Sequence, residues 1–321
     1  MTQQTRYVPQ KPQGYHILSD AYVKNMRQNA SLPKNAWEQI DGAVVEPFRA
    51  PNTMLTDLQS RGLTVDIDFG VLFSQWQDIS DMTDAQRSID GGALSEEDSL
   101  EYGLNTVPIP IIHKEYGMGT RQLRASQNSD VQSLDTTLPQ TAGRIINDNI
   151  EDLIANGDTR ISAGNGNVIY GYTNDPNRET ITLGTWTNST PTNPLVVDDT
   201  NSMLQAGYDV NVFGPRGMYI SKNWWGFLQN DYSPEAGKTW MDRIMEFADV
   251  EFVHLGRALT DSNVVMVQLA QQTVDVAVAR GPTTVSWESG DGFHMHFKSY
   301  AALAPRTKSD QDGNSGIVHG S

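Results

Sequence analysis

The stretch NIEDLIANGDTRISAGNGNVIYGYTN, residues 149–174, sets Glu151 and Asp152 ahead of Gly157, Gly164, Gly166 and Gly171. Two chemistries come to mind: a glycine-rich loop whose backbone N–H groups cradle phosphate, or a carboxylate pair working as general acid and base. A phosphate loop of the GxxxxGK[ST] type needs its lysine and hydroxyl, and residues 157–171 hold no lysine. A dinucleotide-binding turn places its glycines between a strand and the helix that follows, whereas here they follow a helix and lead into a strand. Carboxylates also adjoin at Glu96-Glu97-Asp98 and Asp198-Asp199, but such groups are far more often a solvated face than a dyad, and no convergent pocket is legible around them.

The other reactive side chains are sparse. There is no cysteine, which removes disulfides, thiol catalysis and thiolate metal sites together. The six histidines, at 16, 113, 254, 294, 296 and 319, make no HExxH pattern. His294 and His296 share one face of an expected strand, so a metal pair stands beside the plainer reading of a polar strand face. No GxSxG nucleophile elbow occurs. Trp224-Trp225 could stack on bases or sugars, yet beside Phe227 and Leu228 at helical spacing they read as packing residues. Enzymatic chemistry, a metal and a cofactor are therefore not expected.

The elements that carry these residues follow from the patterning. Leu138, Ala142, Ile145, Ile146, Ile150, Leu153 and Ile154 form one apolar stripe, predicting an amphipathic helix over about 135–156 with Asp135 as cap, Asn156-Gly157 as stop, and Arg144 paired to Asp148. Its polar face is expected to hold Glu151 and Asp152. A shorter helix is expected after Asn35, through Trp37, Ile40, Val44 and Val45. From Leu63 to Phe73 the period falls to two, predicting a strand, and a second alternation runs through Val107, Ile109 and Ile111. Pro108 and Pro110 cannot donate ladder hydrogen bonds, so this second strand belongs at an edge or in a two-stranded ribbon with one open side. Such a ribbon cannot bury itself in its own chain.

Beyond residue 195 the pattern is mixed. Helices are expected near 199–208, 222–229 and 239–248, and strands near 218–221, 250–255, 263–269, 273–279, 283–289 and 293–303. From Pro305 the chain is polar and unperiodic and reads as a mobile tail.

Charge adds a further asymmetry. The 321 residues carry a net charge of −16 with a mean hydropathy of −0.46. Yet residues 1–35 hold Arg6, Lys11, Lys24, Arg27 and Lys34 against Asp20 alone. A basic arm on an acidic body suits contact with another copy of that body, whereas the body repels nucleic-acid phosphates. The N-terminus lacks the apolar core of a signal peptide and no window is apolar enough to span a bilayer, so no membrane partner is expected.

The order of these pieces resembles a known family. An AWEQID helix, an alternating ribbon, VPIPIIHKEYGMGTRQLRAS, then LDTTLPQTAGRIINDNIEDLIANGD, GNVIYGYTN and GMYISKNWWGFLQNDY are similar to the encapsulin-related branch of tailed-phage major capsid proteins. The resemblance covers about residues 34–305 and rests on order and pattern. It implies an α+β fold of the Hong Kong 97 type. Within that fold residues 1–48 correspond to the N-arm, 63–112 to the extended E-loop, and 196–282 to the A-domain. Residues 49–62, 113–195 and 283–305 correspond to the P-domain, with 135–156 as its spine helix, and 306–321 to a C-terminal tail.

The resemblance further implies self-assembly as hexamers and pentamers into an icosahedral virion shell around double-stranded DNA held without sequence specificity, built in the host cytoplasm. A separate scaffolding protein, a portal and cement proteins are the implied partners. The alternative is an encapsulin-type compartment around cargo protein, to which the long segment before AWEQID is ill suited. Some relatives cross-link an E-loop lysine, but residues 65–112 hold lysine nowhere and carry ten acidic residues against Arg87 alone. The expected subunit contacts are Phe73, Trp76, Glu96 and Glu97 on the ribbon against Arg121, Arg124 and Arg144, with Arg6, Tyr15, Tyr22, Lys24 and Arg27 serving the arm.

Overall fold

The structure, a computed structural model, describes residues 38–40, 42–44, 53–79, 102–121, 136–162, 164, 167–233, 237–290, 293–310 and 313–321. Two sheets carry the fold. The first has the order β1-β11-β12-β4, in which β11 (Val274–Glu288) and β12 (His294–Thr307) form a long antiparallel pair. Beyond them lie β4 (Ile111–Gly119), antiparallel to β12, and β1 (Thr64–Asp66), parallel to β11. Helix α1 (Thr53–Ser60) packs against α2 (Thr137–Asn156), which lies on β4 and β12.

The second sheet has five strands in the order β7-β13-β10-β8-β9. They are β7 (Glu179–Ile181), β8 (Arg216–Ile220), β9 (Val250–Leu255), β10 (Val264–Val267) and β13 (Ile317–Gly320). Helices α3 (Leu195–Asp209), α4 (Lys222–Leu228) and α5 (Trp240–Met245) belong to this half. Its strands divide their side chains between two apolar cores. Tyr219, Val265, Val267 and Ile317 join Met54, Leu58, Ile146, Ile150 and Ile154, while Met218, Ile220, Val264, Met266 and Val318 meet Trp186, Met203, Leu204, Trp224 and Trp240. Burial on both faces explains why β10 is an unbroken apolar run rather than an alternating one.

From Ala142 onward the apolar stripe of α2 is placed as its spacing predicts, with Ile146, Ile150 and Ile154 buried, whereas Leu138 in the first turn is exposed. The helix begins after Thr136, whose side chain makes no cap, and Asp135 lies outside the described residues. It stops at Gly157, where φ is 65°. Trp224 stacks on Trp186 with centroids 4.6 Å apart, which fits the packing reading. Residues 38–40 and 42–44 are helical, with Ile40 and Val44 buried; Asn35 and Trp37 are outside the described residues.

Four expectations need correction. The alternation from Leu63 to Phe73 is not one strand but β1 and β2 (Phe73–Ile79), parted by a turn in which the Asp68 carboxylate accepts from Gly70 N at 2.7 Å. Val107 and Ile109 pack into one apolar cluster, but Ile111 does not share their face. Pro108-Ile109-Pro110 separates β3 (Tyr102–Pro108) from β4 and shifts the parity, so Ile111 is exposed and Ile112 turns to the core. Residues 273–279 and 283–289 are one strand, β11, carried through Gly281-Pro282 by register shifts against β12.

The fourth correction concerns the chain from Pro305. It is no tail. β12 continues to Thr307, an Asp310–Asn314 turn reverses the chain, and β13 enters the second sheet between β7 and β10. All four residues of β13 are buried. Four residues are too few to show a period, and a strand covered on both faces has none to show.

Candidate assembly interface

The opening motif separates into its parts. Asp152 is exposed and accepts from Asn156 Nδ2 at 2.7 Å, as a solvated face requires. Glu151 is not on that face: it is only 2% exposed, and its Oε1 accepts from Met54 N at 3.2 Å across the start of α1. The glycines are architectural. A Cβ on Gly171 would stand 2.4 Å from Gly157 N, and one on Gly157 would stand 2.4 Å from Ile169 O. This close approach lets Gly157 N, Tyr172 N and Thr173 N donate to the carbonyls of Leu153, Ile154 and Ala155. These three amides are thus spent on the end of α2.

Two of the other candidates are also structurally engaged. Asp199 accepts from Gly184 N at 2.8 Å and from Trp186 Nε1 at 2.9 Å, fixing the tryptophan at the base of α3. The His296 ring stacks on Trp287, and the described residues contain no group of three potential metal ligands.

What the chain does present outward is the ribbon. Among the described residues β2 pairs with β3 alone, with Phe73 opposite Pro108 and Gln77 opposite Leu104. One face turns to the body: Ser74 and Val107 are buried there and Trp76 is half-buried. The other face carries Phe73 and Leu104, the latter 62% exposed, and Leu72 at its root is 68% exposed. Of the two aromatic contacts expected here, Phe73 points outward, while Trp76 packs with the cluster of Val107, Leu153, Ile169 and Ala304.

The ribbon root rests on a buried ionic group that the sequence did not reveal. Arg306 forms a bidentate pair with Asp275, at 2.5 and 2.6 Å, and Lys308 reaches the same carboxylate at 2.7 Å. Arg306 also donates to Ser74 Oγ at 3.1 Å and lies over the Trp76 ring at 5.7 Å. One guanidinium therefore ties β2 to β11 and β12. Its signal was the pair of cations, Arg306 and Lys308, closing the apolar run YAALAPRTK, hidden by the reading of that region as a tail.

On the body, Arg144 stands exposed on α2 and pairs with Asp148 at 3.3 Å, as its spacing predicts; Arg257 approaches the same carboxylate at 3.7 Å. Arg121 is exposed just past β4. Glu96, Glu97, Arg124 and the arm residues Arg6, Tyr15, Tyr22, Lys24 and Arg27 lie outside the described residues.

This architecture is shared with solved structures. The virus-like particle from Pyrococcus furiosus superposes with a TM-score of 0.63 at 18% identity, covering 89% of this chain and 99% of that one. The capsid of Myoviridae phage XM1 gives 0.61 at 13% identity, covering 81% and 90%. The capsid of a native GTA particle gives 0.54 at 13% identity, covering 81% and 88%. At such identities the shared property is the fold, and this chain has the α+β capsid fold of the Hong Kong 97 type. No curated protein matches the sequence. A family profile matches residues 25–320, nearly the whole chain, which therefore belongs to the family of unknown function DUF6260.

Proposed function

We propose that this chain is a major capsid protein that assembles through hexamers and pentamers into an icosahedral shell around phage double-stranded DNA. The observation that carries the reading is the ribbon: two strands with an exposed apolar outer face, attached to a fold whose solved examples are shells and particles. A two-stranded sheet is marginal alone, and it gains stability when a neighbour covers it. On this reading residues 63–112 act as the E-loop and residues 1–48 as the N-arm. Residues 196–282 form the A-domain, and most of the remainder to 305 the P-domain with α2 as its spine. The strand β13 completes the A-domain sheet.

The net charge of −16 suits a wall that encloses DNA without gripping it. Scaffolding, portal and cement proteins are the partners such a shell would use, and the host cytoplasm is where it would form. Contacts between subunits need be only moderate, because a standard interface hides ~800 Å² per partner and each subunit shares several.

The acidic ribbon would dock on Arg121, Arg124 and Arg144 of a neighbour. Arg124→Glu is expected to abolish large particles in velocity sedimentation while leaving the thermal unfolding of the subunit nearly unchanged. Equal losses of assembly and subunit stability would overturn this docking.

A further inference from the structure

Glu151 sits where α1, α2 and the second sheet meet, and its hydrogen bonds do not balance for a carboxylate. Thr53 Oγ1 lies 3.0 Å from Glu151 Oε1 and also 3.0 Å from the Leu255 carbonyl oxygen. A hydroxyl has one hydrogen and cannot make a full hydrogen bond to two acceptors at once. Leu255 O has no hydrogen to give, so the chain is complete only if Glu151 is the donor to Thr53 and Thr53 the donor to Leu255. Glu151 Oε2 is buried without a protein partner, as is the Tyr172 hydroxyl. Ionised, that oxygen would hold charge against the apolar cluster of Met54, Leu55, Ile150 and Ile154.

The surroundings favour the neutral acid. From α1 comes Asp57, which accepts from Tyr219 Oη of β8 and lies 2.9 Å from His254 Nδ1 of β9. From the segment after β6 (Val168–Ile169) comes Tyr172, and from the turn after β9 Arg257, the one cation among the described residues that acts on Glu151. The amides of Met54 and Leu55, the Thr53 hydroxyl and Arg257 all favour the anion, but burial outweighs them and raises the Glu151 carboxyl above its ordinary range.

We propose that Glu151 makes this joint proton-linked: as a neutral acid it closes Thr53 and Leu255 into one chain and seats α1, and on ionisation it loosens α1 from α2 and the second sheet. Folding raises the affinity of this group for its proton. The stabilisation is therefore complete below the ordinary glutamate pKa of about 4.3 and is lost as pH rises through the elevated value. The acid form of the subunit is the tight one. This inference concerns the subunit's own joint and does not depend on shell formation.

The test is amide hydrogen exchange on the full-length protein, read over residues 53–60 between pH 5 and pH 8 and corrected for intrinsic rates. In the wild type, protection of α1 should fall by about tenfold across this range, whereas in Glu151→Gln it should change less than twofold. Parallel pH profiles in the two proteins, or wild-type protection that rises with pH, would overturn the proposal. A second reading needs no variant. In an infrared titration the carbonyl stretch of one protonated carboxylic acid should persist in the wild type to higher pH than that of the exposed carboxylates, and its loss together with theirs would equally refute the assignment.

Discussion

Gly157 and Gly171 are the positions where the backbone itself leaves no room for a side chain. A Cβ on Gly171 would meet the backbone at Gly157 N, Ala155 C and Asn156 N, and backbone cannot rotate aside as a side chain can. Gly171→Ala is expected to cost about 1–3 kcal/mol, the range of strained overpacking, seen as a lower denaturation midpoint with an unchanged slope. A midpoint within experimental error of the wild type would refute the close approach. At this scale the sequence revealed what depends on near neighbours. The stop at Gly157 and the Arg144–Asp148 pair are within four residues of the groups they serve. It concealed what depends on distant chain: Glu151 is buried by α1, nearly a hundred residues earlier, and Arg306 is held by Asp275 and Ser74. Neither partner could be read from local spacing.

Among the elements, α2 was legible because seven apolar residues over nearly five turns leave one helical solution. The strand boundaries failed where a turn or a proline pair changed parity without interrupting the apolar pattern, as at Asp68–Gly70 and Pro108–Pro110. β13 failed for the opposite reason, being buried on both faces and only four residues long. Its place in the sheet order makes it indispensable, since it bonds to β10 on one side and β7 on the other. Removing residues 311–321 exposes the edge of β10 and opens both apolar cores, because Ile317 lies in one and Val318 in the other. The truncated chain should lose its cooperative thermal transition and aggregate. A soluble product with a wild-type melt would show that β13 is dispensable.

For the whole molecule, the order of pieces was the most legible property, and the fold it suggested is the fold observed. Composition alone carried less, since a net charge of −16 and an absence of cysteine exclude chemistries without naming an architecture. The central claim is that the outward ribbon, the basic arm and the acidic body serve one closed shell. Electron cryo-microscopy of the purified full-length protein tests it most directly, with a scaffolding protein supplied if the chain alone stays dispersed. The account predicts closed icosahedral particles built of hexamers and pentamers, with the β2–β3 ribbon of each subunit lying on a neighbour. Discrete monomers or dimers under both conditions, or shells in which the ribbon touches only its own subunit, would contradict it.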